Sequence, residues 1–115
     1  MNGVKVRFLN RNEILSRLVA VAQQLLESRA DVIEVSLFGS LARGSYAPGS
    51  DADIYILLRE DPRKITDRIP EFLDSFSKIG VPIEVFPYTL KETEKMSEGD
   101  FIKTIQRDKV ILSSR

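Results

Sequence analysis

The apolar positions Ile14, Leu15, Leu18, Val19, Ala22, Leu25 and Leu26 recur at the spacing of one helical face, and Asn10 or Asn12 offers a capping oxygen. This pattern predicts a helix over 12–29. Residues 32–38 (VIEVSLF) alternate and are β-branched, so they read as a strand ending at Gly39-Ser40, where residues 40–43 can make a turn or two of helix. Residues 44–50 (GSYAPGS) are turn chemistry, and 51–58 (DADIYILL) read as a buried strand. Helical spacing returns over 62–78 at Ile65, Ile69, Phe72, Leu73 and Phe76. Pro70, with no amide hydrogen, is expected to split that segment and sit in the first turn of its second piece. A third strand is expected over 81–88, with Pro82 and Pro87 marking its ends or an edge. Thr89 and Glu92 have capping-box spacing for a short helix; a last helix over 99–107 leads to a strand over 109–112. Residues 4–9 (VKVRFL) read as a short edge strand.

The order predicts an α/β (α+β) fold, a single mixed β-sheet packed with helices, with 1–115 as a single domain. Topology then sharpens the picture. The stretch between the first two strands is too short for a long crossover, so these strands are expected to be antiparallel. A helix separates the second from the third, the mark of a parallel crossover. Gly39-Ser40, Asp51 with Asp53, and Glu84 then converge on one end of the sheet.

Composition narrows the chemistry. The 115 residues carry 17 Lys plus Arg against 17 Asp plus Glu and contain neither cysteine nor histidine. Disulfides, Cys/His zinc sites and Ser-His or Cys-His nucleophile pairs are therefore excluded. Catalysis must run on Asp, Glu, Lys, Arg, Ser, Tyr or a metal held by oxygen. The charge balance gives no long-range attraction to nucleic acid or acidic membranes. No apolar run reaches the roughly 18 residues of a membrane span, and the start lacks a secretory apolar stretch, so a cytoplasmic protein is expected.

Asp51 and Asp53, two apart on a strand, would share a face about 7 Å apart at Cα. With Glu84 from the next strand they make an all-oxygen set suited to magnesium, which binds through a few carboxylates plus substrate phosphates. Two such ions about 3.5–4 Å apart can hold the attacking and leaving oxygens of a phosphoryl displacement. Gly39 allows close backbone approach, and the turn that follows Ser40 offers amides to a phosphate. Arg43 can add a bidentate contact, and Ser50 can bind a phosphate or buttress Asp51. The spacing Gly39 to Gly44 is followed by Ser45-Tyr46 instead of Lys-Ser/Thr, so it is no Walker A loop.

The stretch Gly39-Ser40-Leu-Ala-Arg43-Gly44, five residues, then Ser50-Asp51-Ala-Asp53-Ile54 closely resembles the signature of the DNA polymerase beta-like nucleotidyltransferases, and its Ala-Arg-Gly spelling is most similar to the minimal nucleotidyltransferases, the MntA-like antitoxin type. The resemblance implies transfer of a nucleoside monophosphate, AMP from ATP by family habit, to a hydroxyl. It implies Asp51 and Asp53 on two magnesium ions, Glu84 on one ion and taking the proton, and Gly39 and Ser40 on the triphosphate. It also implies a helical HEPN-domain partner, neutralised by adenylylation of a tyrosine or by complex formation. Many relatives carry Asp where this chain has Glu84.

Plainer readings compete. Asp51-Ala-Asp53 alone also fits an acidic turn, Glu84 a solvent-facing strand position, and Arg43 a surface ion pair. Tyr46 and Tyr88 are candidates to stack a base but read more simply as loop and strand-end aromatics; Lys103, Arg107 and Lys109 are candidates to reach the triphosphate but read more simply as a solvated helical face, and Phe72 and Phe76 as core. The main alternative function is a non-catalytic module that neutralises its partner by occlusion; a small-molecule transferase is disfavoured. The chain leaves little mass for an acceptor, which must come from a protein partner, a second subunit or a molecule docking in an open cleft.

Overall fold

The computed structural model describes residues 9–47 and 49–115. Among them the elements are α1 (Arg11–Ser28), β1 (Val32–Phe38), α2 (Ser40–Arg43), β2 (Ala52–Leu58), α3 (Ile65–Ser75), β3 (Ile83–Thr89), α4 (Leu90–Met96), α5 (Asp100–Asp108) and β4 (Val110–Ser114). The strand expected over 4–9 lies, apart from Leu9, outside the described residues. None of the described helices is long and apolar enough to cross a membrane.

One mixed sheet forms in the order β3-β2-β1-β4. β1 runs antiparallel to β2 and β2 parallel to β3, as the connection lengths dictate, and β4 pairs antiparallel with the other edge of β1. Strand alternation sorts the side chains onto two faces. Val35, Leu37, Ile54, Ile56 and Leu58 bury against Leu18, Ala22 and Leu25 of α1 and against Phe72 and Phe76. On the other face Phe38 and Tyr55 pack with Ile102 and Ile105 of α5. Each fully buried Leu or Ile contributes about 1.5–3 kcal/mol, so the α1/α3 side supplies most of the cohesion.

Local signals explain the helix ends. The Asn10 side chain accepts from the Glu13 amide and starts α1. Its last turn has no basic residue of its own. Arg115 supplies the cation from the far end of the chain, donating to the carbonyls of Leu26, Arg29 and Val32. Thr89 and Glu92 form the expected capping box of α4.

Three expectations need correction. Pro70 does not divide its segment: α3 is one helix with Pro70 inside it. Fully buried Phe72 and the anchored side chain of Arg68 offset a penalty of about 3 kcal/mol for an interior proline. β3 starts at Ile83 instead of residue 81, so Pro82 lies outside it, and runs on to Thr89; Pro87 sits within it because β3 is an edge strand, one of the two positions expected for it. Lys109 is not solvated. Its Nζ lies 2.7 Å from Glu34 Oε2, with the two side chains only 16% and 12% exposed, and Ser36 Oγ donates to the same carboxylate oxygen. The pairing of β4 with β1, which the periodicity of either strand alone does not reveal, carries Lys109 there.

Candidate active site

Gly39 ends β1 with φ 78° and ψ −157°, a conformation that side chains rarely adopt. A second constraint acts on the same residue. The antiparallel register sets Phe38 opposite Asp53, and a Cβ on Gly39 would stand 2.3 Å from Asp53 Oδ2. Only glycine lets the turn come this close to the carboxylate. Ser40 then opens α2, whose single turn closes as the Arg43 amide donates to the Gly39 carbonyl at 3.1 Å.

In the parallel register Asp53 faces Glu84. Residues paired in this way project to the same face, so the two carboxylates stand side by side, with Tyr55 and Phe86 in the next row. Asp51 is exposed and lies one residue before β2, which begins at Ala52 and not at Asp51 as expected. The Asp53 carboxyl is held above the usual carboxylate range, first by burial and then by the negative charges of Glu84 and Asp51; Arg43 opposes this. Three acids are thus brought together electrostatically at the end of the sheet where β2 and β3 begin.

The remaining expected residues differ in their engagement. Arg43, half exposed, places Nη1 3.4 Å from Asp108 Oδ2 at the end of α5. The Ser50 hydroxyl accepts from the Ala47 amide at 2.9 Å and donates to the Ala47 carbonyl at 2.7 Å, closing the loop that delivers Asp51. Tyr46 packs on the core and lines a cavity of about 340 Å³ with Leu41, Ala47 and Pro82; none of the three acids lines it. Tyr88 joins Phe38, Phe86 and Phe101 in an edge-to-face cluster below the acids.

Whether a divalent cation suits this end follows from the donors. They are carboxylate oxygens only, which excludes a thiolate- or imidazole-seeking metal. Among the described residues, no three acidic side chains close into a ready-made cage. Magnesium seldom needs one. It keeps several waters and completes its shell with one or two carboxylates and substrate phosphates. The open pair Asp53/Glu84, with Asp51 beside it, fits that habit, and the burial and acidic neighbours that raise Asp53 are what a bound cation would offset.

Sequence reasoning missed Asp108 as the partner of Arg43, and no local pattern links residues 65 positions apart. It also missed Arg68, only 2% exposed, which donates to Glu92 and to the carbonyls of Pro87, Asp61 and Arg63. A cation on the helical stripe of Ile65, Ile69 and Phe72 was the available signal.

Comparison with known proteins agrees with this picture. Solved structures with the same fold include a chain from Sulfolobus solfataricus assigned as a nucleotidyltransferase (23% identity, TM-score 0.57, covering 100% of this chain and 93% of that one). A second, assigned as a minimal nucleotidyltransferase, has 22% identity and a TM-score of 0.62, covering 89% and 95%. A third comes from a toxin–antitoxin structure with AMP-PNP, at 16% identity and TM-score 0.53, covering 93% and 75%. No protein of curated function matches the chain. The profile of the nucleotidyltransferase domain family matches residues 15–112. That match runs from α1 into β4, leaves no strand of the sheet outside it, and shows that the chain belongs to the nucleotidyltransferase domain family.

Proposed function

We propose that the protein is a magnesium-dependent nucleotidyltransferase that moves AMP from ATP onto a hydroxyl of a helical HEPN-type toxin and so serves as its antitoxin. The observation that carries this reading is the meeting of Asp53 with both Gly39 and Glu84. One strand register sets a phosphate-sized approach beside an acid, and the other sets a second acid beside the first. Family membership supports nucleotidyl transfer, and the toxin–antitoxin neighbour supports the choice of partner.

Asp51, Asp53 and Glu84 would hold the magnesium ions. Bound there, two ions would neutralise the triphosphate and the charge that develops at the transferred phosphorus. The chain's own groups do the rest. Gly39 lets the backbone reach the phosphates, and the opening turn at Ser40 offers them its N–H groups. Arg43, whose charge acts on Asp53, would meet the phosphate oxygens. Glu84 accepts the proton of the attacking hydroxyl as the new oxygen–phosphorus bond forms and pyrophosphate leaves with the electron pair of the broken bond. The acids stand outside the 340 Å³ cavity, an arrangement open to a large acceptor.

The test incubates α-labelled ATP, magnesium and a HEPN-type partner with wild type or with Asp53→Asn. Label on the partner, reduced by at least about a thousandfold in the variant, supports the reading. Equal labelling by both proteins removes the assigned role of Asp53. Full neutralisation of the partner by Asp51→Asn and Asp53→Asn would instead favour occlusion.

A further inference from the structure

Asp108 stands where a carboxylate is least welcome. It is the last residue of α5, at the negative end of the helix dipole, and its side chain is only 10% exposed. Two arginines hold it. Arg107 is its neighbour in sequence, with Nε 2.9 Å from Oδ1. Arg43 arrives from α2, across 65 positions of chain, with Nη1 3.4 Å from Oδ2. Together they hold the Asp108 carboxyl below its ordinary range.

The geometry of Arg43 gives this pair a purpose. Arg43 follows directly on the Gly39-Ser40 turn, and its charge is also felt at Asp53. The guanidinium thus pairs with the carboxylate of Asp108 while its charge acts on Asp53 of the site. A guanidinium carries five donors in a rigid fork, so a single bond through Nη1 leaves others to face a phosphate. A long, half-exposed arginine otherwise loses rotamer freedom when it binds. An acceptor that already holds one edge of the fork removes part of that loss.

We propose that Asp108 is a positioning residue for the nucleotide: it holds Arg43 at the edge of the Gly39-Ser40 turn, ready for the phosphates of a nucleoside triphosphate. This couples the end of α5 to nucleotide binding at the turn between β1 and β2. The inference rests on the proposed triphosphate site.

The experiment measures equilibrium binding of ATP and of AMP, with magnesium, alongside melting temperature. Asp108→Ala is expected to weaken ATP about fivefold and to leave AMP unchanged. Asp108→Asn, which keeps an acceptor oxygen, is expected to lose less. On an Arg43→Ala background Asp108→Ala should cost nothing further, the signature of two residues acting as one. Arg107→Ala, which removes the nearer partner of Asp108, should leave ATP affinity within about a factor of two, and melting temperatures should fall by a few degrees at most.

Unchanged ATP affinity in Asp108→Ala would overturn the coupling, as would equal losses for ATP and AMP or additive losses in the double variant. Tighter ATP binding would overturn it too, because the Asp108 charge would then be opposing the triphosphate. Should Asp108→Ala fold poorly, Asp108→Asn against Asp108→Glu decides: the glutamate restores affinity if a held carboxylate is what matters, and equal loss in both contradicts the proposal. A wild type that binds no triphosphate would instead sink the site itself.

Discussion

The two ends of the sheet treat their acids in opposite ways. Where β2 ends and α3 begins, every carboxylate of the cluster has an arginine. Asp61 is paired with Arg63 at 2.7 Å, Glu71 with both Arg63 and Arg29, and Glu92 with buried Arg68 at 2.6 Å. Hydrogen bonds from Arg63 take Asp61 down to about 2 and lower Glu71, and hydrogen bonds from Arg68 lower Glu92. Where β2 and β3 begin, Asp53 is raised by burial and by its acidic neighbours, with only Arg43 opposing. Acids that stabilise a fold have bonded cations. Acids gathered without bonded arginines cost the fold energy, and under the proposed function a divalent cation would relieve that cost.

Breaking the satisfied end should have the largest effect. Arg68→Met takes the buried guanidinium from Glu92, which keeps only the Thr89 amide, and from the carbonyls of Pro87, Asp61 and Arg63, and is expected to cost about 3 kcal/mol, measured by urea unfolding. Nucleotidyl transfer per folded molecule should be retained. A loss under about 0.5 kcal/mol would mean that the network is decorative.

Crowding the unsatisfied end comes next. Gly39→Ala combines a positive φ with a Cβ 2.3 Å from Asp53 Oδ2. Backbone strain of about 1–3 kcal/mol is expected in thermal melts. Transfer activity should fall by more than about tenfold, because the turn can no longer approach the acid.

The smallest effect is on pH dependence. A lowered acid contributes stability that is complete above its unfolded pKa and is lost as pH falls through the folded one. For Asp61 that window runs from about 4 down to about 2. Asp61→Asn should therefore flatten the acid limb of the stability curve over that range. Asp53 has the opposite sign: its raised pKa destabilises the fold once pH exceeds the folded value, so Asp53→Asn should melt at or above the wild-type temperature at neutral pH. An acid limb left unaltered by Asp61→Asn would break the comparison.

Much of this was legible in the chain before folding, for reasons that differ by residue. Asp51, Asp53 and the glycine beside Ser40 lie within one short stretch, and connection length alone set β2 antiparallel to β1 and parallel to β3, which brings Glu84 in. Periodicity placed Phe72 and Phe76 in the core correctly. It failed at Pro70, where tertiary packing overrides a local breaker, and at Lys109, whose surroundings depend on β4 pairing with β1. Arg68 and the Arg43 contact of Asp108 were hidden because Glu92 and Arg43 lie on other elements. The hydroxyl of Ser50 closes its own loop, a local bond that a candidate phosphate ligand does not advertise.

The central claim is that the acids beside Gly39 are short of a cation that magnesium and a nucleotide bring. Thermal melting of wild type and Asp53→Asn with magnesium and a non-hydrolysable ATP analogue, each alone and together, tests it most directly. Mass action predicts that the pair, at about a hundred times its dissociation constant, stabilises the wild type by about 2.7 kcal/mol and the variant by far less. Equal stabilisation of both proteins, or none of the wild type, would contradict it.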